Sequence, residues 1–78
     1  MPLLIRLFAG LKNAHGPEYS LEISCPVSVL ELRRTLESNG VWSSGARIAV
    51  NQQFACDEST VSEGDEVAVI PPVSGGAR

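Results

Sequence analysis

The stretch Val67-Ala68-Val69-Ile70-Pro71-Pro72-Val73-Ser74-Gly75-Gly76-Ala77-Arg78 decides how the rest of the chain is read. Val67, Val69 and Ile70 are β-branched and follow the turn-forming pair Gly64-Asp65, which predicts a strand from Glu66 to Ile70. Pro71 and Pro72 forbid both helix and further ladder pairing, so the chain has to leave the sheet there. Val73-Ser74-Gly75-Gly76 carries too little side chain to pack a core and predicts an extended, flexible tail over residues 71–78. From Pro71 to Gly76 such a tail reaches about 20 Å, at roughly 3.3–3.6 Å per residue. Without Cβ atoms, Gly75-Gly76 can thread a narrow channel and present a carbonyl carbon to another enzyme. A frayed terminus is the plain alternative.

Upstream, Leu3 to Phe8 reads as a first strand, with Leu3, Ile5 and Leu7 on one face and Leu4, Arg6 and Phe8 on the wetter one. Residues 9–17 read as a loop, with at most a helical turn before Gly16-Pro17. Tyr19 to Ile23 alternates and predicts a second strand hairpinned to the first, ended by Cys25-Pro26. Ser28 and Glu31 form a capping box flanked by Val27 and Leu32 as a hydrophobic staple. Val29, Leu32 and Leu36 then recur at helical spacing. Arg33 and Glu37 predict an exposed pair one turn apart, and Asn39-Gly40 a left-handed helix stop. Val41 to Gly45 is a connection in which Trp42 either covers the helix end or joins a partner surface. Arg47 to Val50 is a third strand, Asn51-Gln52-Gln53 a turn, and Phe54 a brief edge segment. Asp57 to Ser62 predicts a turn of 3₁₀ helix. Strand, strand, helix, strand, strand is an α+β order: a mixed sheet with one helix across it.

Seventy-eight residues make one small domain with a modest core. The division expected is a folded unit over residues 1–70 followed by the tail. A net charge of −3 argues against a basic groove for nucleic acid and favours partners with basic surfaces. No apolar run approaches a membrane span, and Met1-Pro2-Leu3-Leu4-Ile5 is interrupted by Arg6 without a basic segment before it, so a cytoplasmic protein is expected. Cys25 and Cys56 lack metal or redox spacing and read as buried or inert thiols. His15 stands alone in its loop. The carboxylates of Glu63, Asp65 and Glu66 sit at a turn, where such groups are usually solvated. There is no Ser/His/Asp set, no ligand cluster and no phosphate-cradling loop, so no catalysis, bound cofactor or metal is expected of this chain.

Glu63-Gly64-Asp65-Glu66-Val67-Ala68 with Pro71-Pro72-Val73-Ser74-Gly75-Gly76, together with Phe8-Ala9 and Val50-Asn51-Gln52, resembles the small subunit of molybdopterin synthase, a ubiquitin-like sulfur carrier. The resemblance implies a β-grasp fold of four to five strands, the first and last parallel and central. It also implies a chemistry. An activating enzyme would use ATP to adenylate the carboxylate of Gly76, a sulfur donor would replace AMP to leave a thiocarboxylate, and a synthase large subunit would accept the sulfur. Ser74 and Gly75 would line the acceptor's channel while Pro71, Pro72 and Val73 aim the tail. The family's partner-binding patch maps to Phe8, Phe54 and Ile70, for which a core position is the alternative.

One departure stands out: Ala77-Arg78 follows Gly76, whereas the family usually ends at the second glycine. While it is attached the Gly76 carbonyl is an amide, so a trimming protease is expected. Two other readings stay open: a carrier for cysteine, thioacid or other specialised sulfur metabolism, and a protein modifier joined to lysines through Gly76.

Overall fold

The computed structural model describes residues 2–72. The expectations on Val73, Ser74, Gly75, Gly76, Ala77 and Arg78 lie outside the described residues.

Strand β1 (Leu3–Leu7) buries alternate residues, as its pattern requires. The chain then turns through Ala9 at φ 53°, an uncommon value for a residue with a Cβ, into a short helix α1 (Ala9–His15). This corrects the loop expected over residues 9–17. With Gly10 inside it and Leu11 its one buried residue, the segment gives no helical stripe to read. It is held instead at its ends, where Lys12 N–H donates to the Phe8 carbonyl and Gly16 N–H to that of Lys12. Strand β2 (Glu18–Leu21) returns antiparallel to β1 and stops two residues short of the expected end. Ile23 still packs against the core from outside the strand.

The chain next forms β3 (Val27–Ser28) and the main helix α2 (Val29–Ser38). Half of the expected capping box is present: the Ser28 hydroxyl accepts from Glu31 N–H at 3.1 Å. The two amides before it are taken by a distant segment, Val29 N–H donating to the Ser59 carbonyl at 2.9 Å and Leu30 N–H to that of Asp57 at 3.1 Å. At the other end Gly40 (φ 78°) donates to the Glu37 carbonyl and Val41 to that of Leu36, the paired bonds of a Schellman stop. Arg33 pairs with Asp57 at 3.5 Å, not with Glu37. Trp42 is half-buried against the core, the packing alternative of the two considered.

Strand β4 (Arg47–Val50) turns through Asn51 and Gln52, both left-handed (φ 53° and 70°), into β5 (Gln53–Phe54). That is the two-residue turn whose twist suits a hairpin. The segment expected as 3₁₀ contains β6 (Thr60–Val61), which pairs with β3 in a small second sheet. Val61 is fully buried, and its lone apolar position among polar neighbours gave no period to read. Strand β7 (Val67–Ile70) completes the set.

The main sheet runs β2-β1-β7-β4-β5, with β7 parallel to β1 and antiparallel to β4. This is the mixed, five-stranded arrangement expected, with the first and last strands side by side. Leu3, Ile5, Leu7, Val67, Val69 and Ile48 meet Val29, Leu32 and Leu36 of α2 in one core. Each fully buried side chain of this kind stabilises the fold by about 1.5–3 kcal/mol relative to exposure. Neither described helix covers the opposite face of the sheet.

Two substitutions measure these devices by denaturant unfolding. Ser28→Ala should cost about 1 kcal/mol, as loss of a helix cap does. Val61→Ala should cost more, about 2 kcal/mol, by opening a void where the small sheet meets the core; equal costs would count against β6 as a core element.

Candidate functional site

The helix-free face can be mapped from register alone. Because side chains alternate along each strand, Leu4, Arg6 and Phe8 point outward, as do Ala68 and Ile70, and Ala49 and Phe54 lie beyond them. Arg6 is opposite Ala68, Ala68 opposite Ala49, and Ala49 opposite Phe54. Two alanines therefore occupy the middle of this row. On the next row Ile70 is opposite Arg47, and Phe8, still in extended backbone (φ −134°, ψ 159°), continues the β1–β7 register beside Ile70.

The outcome is a groove of about 320 Å³ lined by Phe8, Phe54, Ile70, Ala49 and Ala68, with Arg6, Gln52 and Glu66 at its rim. Phe8 is 43 % exposed and Phe54 57 %, while Ile70 is half-buried, so neither phenylalanine is core. The three residues singled out from sequence share one depression. What sequence reading missed is its floor: Ala49 and Ala68 make the groove by leaving space unfilled. Alanines at outward positions of two central strands were the available signal, but they become meaningful only once the β4–β7 register is known.

Charged groups border the apolar floor. The Arg6 guanidinium donates to Glu66 Oε2 at 2.7 Å across the lower rim. Both side chains are well exposed, and a pair of this kind contributes about 1 kcal/mol at most. Arg47 lies with its guanidinium carbon 4.1 Å from the centre of the Phe54 ring, which holds an otherwise exposed aromatic in place.

The Glu63-Gly64-Asp65-Glu66 segment keeps its carboxylates in reach of solvent, as expected of a turn, and is ordered by hydrogen bonds. Gly64 takes φ 88°, Asp65 N–H donates to the Ser62 carbonyl, and the Asp65 carboxylate accepts from Ser62 N–H at 2.8 Å. Asn51 bridges from the hairpin tip, its amide donating to Asp65 at 3.3 Å while its side-chain carbonyl accepts from Glu66 N–H at 3.0 Å. This lock fixes where β7 starts, and so which of its residues face the groove.

At the other end of β7, Pro71 is half-buried and Pro72 exposed. They leave the sheet beside the groove, directly after Ile70. Cys25 is half-buried, but Cys56 is exposed rather than buried, its Sγ 3.4 Å from the Ser59 hydroxyl; both are free thiols. His15 is exposed at the end of α1, edge-on to Tyr19. Among the described residues no group of three or more His, Cys, Asp or Glu is placed to hold a metal ion. No described helix is long and apolar enough to cross a membrane.

Comparison with known proteins bears on what this face belongs to. The structure of SAMP1 from Haloferax volcanii superposes over 97% of this chain and 100% of its own, with a TM-score of 0.73 at 21% identity. A Pyrococcus furiosus protein assigned as molybdopterin converting factor, subunit 1, covers 94% and 99%, with a TM-score of 0.75 at 22% identity. A chain from the protein–protein complex of subunits 1 and 2 of molybdopterin-converting factor from Helicobacter pylori 26695 covers 97% and 100%, with a TM-score of 0.67 at 22% identity. These likenesses carry the β-grasp fold. The sequence itself matches the ThiS family across residues 5–76. Spanning nearly the whole chain, that match makes this protein a member of the ThiS family of small, ubiquitin-like β-grasp sulfur carriers.

Proposed function

We propose that the protein is a sulfur carrier whose working end is the Gly76 carbonyl, used after Ala77-Arg78 has been removed, and that it serves molybdopterin synthesis. The observation that carries this reading is an apolar groove at the root of a chain whose family match runs through Gly76 and stops there. The groove docks partners, and Phe8, Phe54 and Ile70 anchor them. Exposed aromatic and aliphatic side chains gathered in one pocket commonly supply the binding energy of such a contact.

In the proposed sequence a protease cuts after Gly76, freeing its carboxylate. A carboxylate oxygen then attacks the α-phosphorus of ATP on an activating enzyme, and pyrophosphate leaves. A donor at the oxidation level of hydrosulfide displaces AMP, giving the thiocarboxylate. The chain supplies the substrate and its delivery: Ser74 and Gly75 enter the channel, and Pro71, Pro72 and Val73 aim them. The chain itself performs no catalysis and binds no cofactor; ATP belongs to the activating enzyme. The complex of converting-factor subunits 1 and 2 from Helicobacter pylori supports a synthase large subunit as acceptor. All these steps would take place in the cytoplasm.

The likeness to SAMP1, named elsewhere as small archaeal modifier protein 1, favours one second reading, conjugation of Gly76 to lysines on other proteins. The same tail chemistry would also serve cysteine, thioacid or other specialised sulfur metabolism.

Intact-protein mass after co-expression with the genes beside its own should reveal loss of Ala77-Arg78 and one sulfur-for-oxygen exchange. Gly76→Val should abolish both, and normal loading of that variant would overturn the assignment of Gly76. Gly-Gly remnants on lysines of other proteins would instead favour the modifier reading. In a pull-down or calorimetric assay with the large subunit, Ala68→Leu should fill the groove floor and weaken binding at least tenfold while the fold is retained. Unchanged affinity would remove the groove from the interface.

A further inference from the structure

Two arginines of this fold face a carboxylate: Arg6 meets Glu66 at 2.7 Å and Arg33 meets Asp57 at 3.5 Å. Arg47 does not. No described carboxylate pairs with it, and its side chain lies instead on Phe54, the guanidinium carbon 4.1 Å from the ring centre. Strand geometry brings it there. Ile48 is buried in the core, so Arg47 and Ala49 point to the groove side of β4. Arg47 is opposite Ile70 and Ala49 is opposite Phe54. The arginine therefore crosses the face from the row of one groove wall to the row of the other. Contact with a ring uses the charge of a guanidinium but gives its five N–H donors no oxygen to meet. The result is a cation held in place beside an apolar depression of about 320 Å³, with its donors untaken by any described group.

We propose that Arg47 is the carboxylate-recognition residue of the groove. The protein that docks there presents an apolar side chain to the floor of Ala49 and Ala68 and, beside it, an aspartate or glutamate that meets the Arg47 guanidinium. This deepens the sulfur-carrier reading and rests on it for taking that protein to be the sulfur-accepting subunit. Charge complementarity selects the chemistry. On the rim Arg6 and Glu66 neutralise each other, which leaves Arg47 as the uncompensated charge at the border. A guanidinium fork matches a carboxylate with two parallel N–H···O bonds, stronger and more directional than a neutral hydrogen bond. Its contact with Phe54 orders the arginine before the partner arrives, so less side-chain freedom is lost on binding. The chain as a whole carries −3 and repels acidic surfaces at long range. A carboxylate accepted at this wall therefore fixes the register of docking rather than drawing the partner in.

The test uses two probes of the same apolar body, N-acetylleucine and its neutral amide, titrated into the full-length protein while the methyl NMR signals of Ala68 and Ile70 are followed. The acid should bind saturably and about tenfold more tightly than the amide, the preference expected of one charge-assisted pair. Arg47→Gln should remove the preference, and Arg47→Lys, which keeps the charge but not the fork, should retain part of it. Arg34→Gln, an exposed arginine on α2, makes the same change of net charge away from the groove and should leave the preference intact. Had Arg47 only braced the Phe54 ring, Arg47→Gln would weaken acid and amide alike. That result, equal affinity of the two probes for the wild-type protein, or no saturable binding of the acid would overturn the proposal. With the synthase large subunit in place of the probes, Arg47→Gln should lower affinity about tenfold and flatten its dependence on salt. Failure of the wild-type protein to bind the large subunit would instead defeat the acceptor reading and leave the acid–amide preference to decide Arg47.

Discussion

Strand β7 is the constraint on which the other elements depend. It is paired on both sides, parallel to β1 and antiparallel to β4, so its two faces are committed to different tasks. Val67 and Val69, both fully buried, close the core beneath α2, whereas Ala68 and Ile70 make the centre and edge of the groove. A slip of one residue would put the valines in the groove and the alanine in the core. The bridge from Asn51 to Asp65 and Glu66 prevents that slip at the start of the strand. Pro71 and Pro72 end it. The strand at the head of the most recognisable stretch, Val67–Ile70, is thus held by partners on both sides.

The groove owes its shape to subtraction. Phe8, Phe54 and Ile70 would form an apolar patch on any flat sheet face, but Ala49 and Ala68 lower its centre and convert the patch to a depression. Arg47 over the Phe54 ring and Arg6 against Glu66 then border it with charge without closing it. An apolar floor with a polar border is how the interfaces of non-obligate protein complexes are commonly organised.

The central features were legible because each had a local cause. The alternation of Leu3, Ile5 and Leu7, the spacing of Val29, Leu32 and Leu36, and the β-branched run ending in two prolines all report burial directly. Phe8, Phe54 and Ile70 came from a resemblance, and strand parity supported Phe8 and Ile70. What escaped reading depended on residues distant in sequence. Helix α1 is held by its end contacts and a single buried leucine, β6 exists because Val61 pairs with Val27, and Arg33 finds Asp57 rather than Glu37. The role of the alanines required a register that no local pattern encodes.

The start of α2 is completed by the carbonyls of Asp57 and Ser59, which arrive in the chain well after the helix itself. Fraying at this end is therefore not a private event of the helix: releasing the amide protons of Val29 and Leu30 to solvent exchange requires the segment around β6 to lift away. Helix and surface segment are joined into one cooperative unit of opening.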